Sequence, residues 1–250
     1  MNQILVTEKL YITPEYRKKK SYYKIQFFLS IFLVCVLFSY YIYAEYDRNK
    51  NEEVSKDILA SINFEYEEKE NSITEDEIQE LVINLTDNPT IITPKTQSIK
   101  TVKQKEAPRA VIQYGGVEYS AVGVVEIPKI NVNYPIFIAR EGELVDDLID
   151  ISPTKFWGPE INEVGNFCIV GHNYRNSKFF SKVPDLEIGD VIEITDLTGR
   201  TLMYEVYTSY IVNPDDSTCR DQNTDGKKEV TLITCTDYGD QRVIVKATQI

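Results

Sequence analysis

The stretch Val230-Thr231-Leu232-Ile233-Thr234-Cys235, six connecting residues, and then Arg242-Val243-Ile244-Val245-Lys246-Ala247-Thr248 decides the fold. Both runs are short and rich in β-branched residues, and they are separated by a polar, glycine-containing segment. That pattern predicts two antiparallel strands joined by residues 236–241. Side chains alternate across a strand, so Cys235 shares a face with Ile233 and Thr231, and Arg242 shares one with Ile244 and Lys246. Val243, Val245 and Ala247 form a purely apolar face, which places Arg242 on the outer surface beside Cys235.

Working outward, further short strands are predicted at 121–127, 134–138, 165–170, 191–195 and 202–212, with a short helix at 143–149. Gly189-Asp190 and Leu197-Thr198-Gly199-Arg200 mark turns. Many short strands with little helix predict an all-β fold, a closed barrel rather than a parallel α/β sheet. The strand at 165–170 leads into Gly171-His172-Asn173 and carries Cys168, Val170 and His172 on one face. His172 is the only histidine in the chain.

Residues 25–44 contain no charge and span about 30 Å as a helix, the thickness of a bilayer's hydrocarbon core. Tyr22 and Tyr23 flank one end; Tyr40, Tyr41 and Tyr43 flank the other. Arg17, Lys18, Lys19, Lys20 and Lys24 precede the span, whereas Glu45 and Asp47 follow it. By the positive-inside rule, residues 1–24 form a cytoplasmic basic tail, 25–44 a retained single-pass anchor, and everything after lies outside. Residues 45–90 hold fourteen Asp/Glu against four Lys/Arg, so residues 45–110 read as an acidic extracellular stalk. Within it, helices are predicted at 52–60 and 74–85, and linker at 86–109. Residues 111–250 form the folded domain. The net charge of -12 argues against nucleic acid.

Of the four cysteines, Cys35, Cys168, Cys219 and Cys235, none forms a CxxC pair, which disfavours a zinc ribbon or thioredoxin-type site. A Cys168–Cys219 disulfide is open on composition. A cysteine, a histidine and an arginine form a minimal set for acyl transfer. The thiolate attacks a carbonyl, the imidazole moves the proton, and the guanidinium holds developing negative charge on oxygen. Taken singly, each residue also has an ordinary structural explanation.

Taken together, the motifs resemble those of the sortases, membrane-anchored cysteine transpeptidases of Gram-positive bacteria. Thr231-Leu232-Ile233-Thr234-Cys235 fits the TLxTC signature. Gly171-His172-Asn173 is followed by Phe179-Phe180, Arg242-Val243-Ile244-Val245 resembles the terminal strand, and Val125-Glu126-Ile127-Pro128 an early strand. The resemblance implies a closed eight-stranded sortase-type β-barrel with short helices, behind one N-terminal transmembrane helix. It implies that Cys235 cleaves an LPXTG-type sorting signal between Thr and Gly. The acyl group then passes to an amine of a peptidoglycan precursor or cross-bridge, anchoring surface proteins to the cell wall, while the enzyme itself sits in the cytoplasmic membrane. His172 would be the general acid/base and Arg242 the stabiliser of the carbonyl oxygen. Val170 and Ile233 would line the signal's groove, with Thr234 beside the nucleophile.

The loop at 213–229 resembles the one that reads the signal in this family. A class A-like or class D-like enzyme is implied. With no apolar span after residue 250 and no evident lid segment, a pilin-polymerising role is not favoured. No cofactor is required. Some class A members bind calcium near that loop, and Glu141, Glu143, Asp146, Asp215 and Asp216 are the acids within reach of such a role. Trp157 reads as structural. The alternatives are an L,D-transpeptidase or NlpC-like peptidase, whose motif or Cys–His order differs, and a non-catalytic membrane-tethered β-domain serving as a sensor or assembly factor.

Overall fold

The computed structural model describes residues 14–62 and 108–250. These divide between Val54 and Ser55 into two compact units. The first lies within a helix, α1 (Pro14–Ser61), which is long and apolar enough to cross a membrane. Its apolar side chains, among them Phe28, Leu29, Phe32 and Leu37, are exposed. The hydroxyl of Ser39 donates to the Cys35 carbonyl at 2.9 Å, keeping one of the few polar groups of the span satisfied within the helix.

The helix expected at 52–60 is present as the C-terminal part of α1, so the helix continues past the boundary drawn at residue 44. Its last two turns belong to the second unit, where Ile58 and Ser55 are buried. Ser55 Oγ donates to Ser152 Oγ at 3.0 Å, and Ser152 donates in turn to the Pro135 carbonyl. The helix expected at 74–85 and most of the linker at 86–109 lie outside the described residues.

The second unit is a barrel of strands β1 (Ala110–Tyr114), β2 (Val117–Ile127), β3 (Val132–Phe137), β4 (Thr154–Trp157), β5 (Gly165–Val170), β6 (Val191–Asp196), β7 (Thr201–Val212), β8 (Lys228–Cys235) and β9 (Arg242–Gln249). A short helix, α2 (Val145–Ile149), precedes β4. The order β2-β3-β4-β5-β8-β9-β7-β6 closes on itself through the β2–β6 pairing. The result is eight strands in a ring, with β1 added along the early half of β2. Period-two burial is clearest in β6, where Ile192, Ile194 and Asp196 point inward and Val191, Glu193 and Thr195 do not. The inward faces meet in one core that includes Val125, Ile127, Ile136, Phe167, Ile169, Tyr204, Leu232 and Val245.

Closure requires β2 and β6 to approach closely at Gly123. A Cβ there would lie 2.3 Å from the Thr195 carbonyl oxygen, so any larger residue opens the seam. Beside it, Asp196 accepts from Thr198 N and Oγ1 and from Arg200 N and Nε, at 2.6–3.1 Å, fixing the turn that follows β6. Burial raises the Asp196 pKa, but the hydrogen bonds from Thr198 and Arg200 outweigh it and leave the carboxyl below its ordinary range. Its stabilisation is therefore complete above the unfolded-state pKa and disappears as pH falls through the folded one. Asp196→Ala should lower unfolding stability at pH 7 by about 2–4 kcal/mol. In denaturant titrations the difference from wild type should narrow below about pH 4.

Two strand pairs are parallel, β3 with β4 and β5 with β8. The second matters most here, because parallel neighbours end on the same side of the barrel. The sequence had not predicted β1 or β4. The β1–β2 hairpin turns at Gly115-Gly116, both at positive φ. β4 is four residues long and interrupted by a bulge at Phe156.

Candidate active site

β5 and β8 run in parallel with Val170 opposite Ile233, and the register continues as Gly171 N–H donates to the Ile233 carbonyl at 3.1 Å. Two residues on in each chain, His172 and Cys235 leave the barrel in the same row. On the other side of β8, the antiparallel hairpin sets Cys235 directly opposite Arg242, with residues 236–241 as the connection. Side chains on directly opposed residues start about 4.5–5.5 Å apart at Cβ. Three adjacent strands thus deliver a thiol, an imidazole and a guanidinium to one edge.

Each is held by neighbours. Gly171 permits the turn into His172 because Phe180 lies against it; a Cβ there would sit 2.7 Å from the Phe180 ring. Phe180 N–H donates to the His172 carbonyl at 3.1 Å. Asn173 Nδ2 donates to the Cys235 carbonyl at 2.9 Å and to Asp237 Oδ1 at 3.2 Å, tying the histidine loop to the end of β8. Arg242 Nη1 donates to the carbonyls of Gln241 at 3.1 Å and Gly239 at 3.3 Å. Its other N–H groups are on different nitrogens of the fork.

Cys235 is half-buried, whereas Cys168 and Cys219 are buried, and all three are free thiols. The latter two sit in one small cluster with Ile233 and Ile244, so the disulfide left open by composition is not formed. Burial pushes Cys168 up to about 12, the neighbouring Cys219 adding to it; burial also raises Cys219. Both are thereby kept protonated and unreactive.

That cluster also corrects the expectation that the Arg242–Ile244–Lys246 face is open surface. Ile244 is buried, because the connection between β7 and β8 folds over that face and inserts Cys219. Lys246 lies on the same face, largely buried and paired with Glu229 at 3.6 Å. Val170 is partly buried against the cluster and Ile233 is at its floor. Thr234 points the other way. It is 1% exposed, and its hydroxyl donates to the Gly171 carbonyl at 2.8 Å. That bond supports the turn into His172.

Trp157, expected as a structural residue, is 51% exposed. Its ring carries the Arg220 guanidinium at 5.3 Å, which pins the β7–β8 connection to β4. It also borders a cleft of about 590 Å³ with Ile138, Val145, Phe156 and Gln222, whose lining includes none of His172, Cys235 and Arg242. Among the described residues, no group of three or more His, Cys, Asp or Glu is placed to hold a metal ion. Of the five acids expected near calcium, Glu143 is engaged by Arg140, and Asp216 accepts from Thr218 N and Oγ1.

One residue was missed entirely. Asp150, directly after α2, places Oδ1 2.9 Å from His172 Nε2. It lies 22 positions before the histidine, outside every motif, and no periodicity points to it.

The family model described as a sortase domain matches residues 125–250. Similar solved structures include the Sortase D5 transpeptidase of Clostridium perfringens, 33% identical, with a TM-score of 0.46 over 52% of this chain and 79% of that one. Sortase A from Corynebacterium diphtheriae is 28% identical, TM-score 0.45, over 52% and 60%. Clostridium perfringens sortase C with the C-terminal cell wall sorting motif is 26% identical, TM-score 0.45, over 52% and 70%. No curated protein matches the chain.

Proposed function

The chain belongs to the sortase family, and from that premise we propose that it is a membrane-anchored cysteine transpeptidase that cleaves an LPXTG-type sorting signal between Thr and Gly. The observation that carries this reading is the row His172–Cys235–Arg242 at the neighbouring ends of β5, β8 and β9, His172 lying two residues past β5. In the reaction, the Cys235 thiolate attacks the Thr carbonyl carbon. Arg242 stabilises the negative charge that gathers on oxygen, and His172 gives its proton to the departing Gly amine. The product is a thioester on Cys235. An incoming amine, of a peptidoglycan precursor or cross-bridge, gives a proton to His172 and attacks the thioester. The thiolate leaves and an amide bond remains.

The apolar segment of α1 at 25–44 and the basic residues at the helix's N-terminal end, Arg17, Lys18, Lys19, Lys20 and Lys24, support anchoring in the cytoplasmic membrane, N-terminus inside and barrel outside. The substrates would be surface proteins carrying the signal. Incubating the full chain in detergent with a quenched LPXTG-type peptide and triglycine tests the reading. Cleavage at Thr–Gly with a triglycine-linked product is expected. Absence of any product across LPXTG, LPXTA and NPXTX peptides would overturn it.

A further inference from the structure

We propose that Asp150 is a positioning residue for His172, holding the imidazole by Nε2 so that Nδ1 is the nitrogen offered to the thiol and to the leaving amine. The proposal rests on the transpeptidase reading and adds to it a fourth residue.

The geometry is a clamp with two arms. Asp150 Oδ1 lies 2.9 Å from His172 Nε2, within ion-pair distance, and accepts from the Tyr174 hydroxyl at 3.1 Å. The Tyr174 ring lies 4.9 Å from the imidazole, tilted by 35°. Tyr174 in turn meets Phe179 edge-on at 5.8 Å, and Phe179 is buried and stacked on Tyr134 at 5.1 Å. The second arm is therefore rooted in the barrel core.

The backbone that carries Asp150 is equally fixed. Leu148 and Ile149 before it are buried. Ile151 and Ser152 after it both donate their N–H to the Leu148 carbonyl, at 2.9 and 3.0 Å. Ser152 is buried and bonded to Pro135. Asp150 is 56% exposed on its side chain, so its contribution is mainly geometric, the pull between the charges being softened by water.

An imidazole can serve a thiol only with the correct nitrogen free. A carboxylate that accepts from Nε2–H selects that tautomer and sets the ring's rotation, leaving the Nδ1 lone pair available. An orienting acid behind a catalytic imidazole has this effect in other acyl-transfer sites. Without it the ring is free to turn about χ2 and to exchange tautomers, and the proton relay is misaligned for part of the time.

The single histidine makes the test direct, because every imidazole signal belongs to His172. The full chain, labelled with ¹⁵N-histidine in detergent, should show a protected Nε2–H proton and ¹⁵N shifts of the Nε2–H tautomer. In Asp150→Ala that proton should disappear into solvent exchange and the shifts should move toward a tautomer mixture. Asp150→Asn, whose Oδ1 can still accept, should keep the signal. With the quenched peptide, Asp150→Ala should lower kcat about 10- to 100-fold with KM within about twofold, and Asp150→Asn should recover most of that loss. The melting temperature should stay within about 3 °C in both variants, since Asp150 is a surface side chain.

An unchanged imidazole N–H signal in Asp150→Ala overturns the proposal, as does a loss that appears in KM alone. If wild type itself turns over no peptide, the transpeptidase reading falls, and the imidazole signal then decides for or against the clamp by itself.

Discussion

Replacing Cys235 by alanine should abolish acyl transfer, lowering turnover of an LPXTG-type peptide by at least about 10³-fold, to background. No other thiol in the barrel unit can take over. Cys168 is fully buried and held protonated with a pKa near 12 by its burial, and Cys219 is buried beside it. Cys235 alone among the barrel's thiols stands at a strand end, half-buried, paired across the hairpin with Arg242 and in the row of the only histidine. The alanine variant should fold, because the cross-strand partners of β8 are held through the backbone and the side chain removed is small. A retained melting transition together with lost turnover is thus the expected pair of results. Turnover above about 1% of wild type would remove Cys235 from the role of nucleophile.

Arg242 should be the next most sensitive position. Its backbone is paired directly with Cys235, and its Nη1 is fastened to the Gln241 and Gly239 carbonyls of the connecting loop. That attachment holds a planar, permanently charged fork at the end of the hairpin, on the residue paired with Cys235. Arg242→Ala should lower kcat by about 10²- to 10³-fold, the range for losing one preorganised donor to an oxyanion. Arg242→Lys should restore only a minor part. An ammonium supplies charge but cannot bind two loop carbonyls and present another N–H in a fixed plane at once. Steady-state kinetics on the same peptide checks both. A lysine variant at wild-type kcat would mean that charge alone suffices and that the fork has no part in the reaction.

The barrel's second half was legible because its strands obey period two. β5 is found where its apolar run begins and ends, and β8 and β9 extend their predicted spans by at most two residues at one end. The hairpin connection and the pairing of Cys235 with Arg242 follow from counting residues between two unambiguous strands. What stayed hidden depends on contacts distant in sequence. β4 exists because Phe137 and residues 168–170 flank it, and its bulge breaks the alternation that would have marked it. The outer face of β9 looked open because nothing in Arg242–Thr248 announces that Cys219 will cover Ile244. Ser55 and Ile58 looked like stalk because a polar helix turn shows no sign of the surface it packs on. Asp150 reaches His172 only through the fold of the α2–β4 corner.

The proposed reaction turns on a covalent step, a thioester on the Cys235 sulfur. The most direct measurement is acid quenching of the full chain with an LPXTG-type peptide within the first turnovers, followed by digestion and mass spectrometry of every cysteine-containing fragment. The account predicts a mass increase, equal to the peptide acyl group ending in Thr, on the fragment bearing Cys235 alone. It should vanish when triglycine is added before the quench, with a Thr–triglycine amide appearing in equal amount. An adduct on Cys35, Cys168 or Cys219, or cleaved peptide with no adduct at any time, would contradict it.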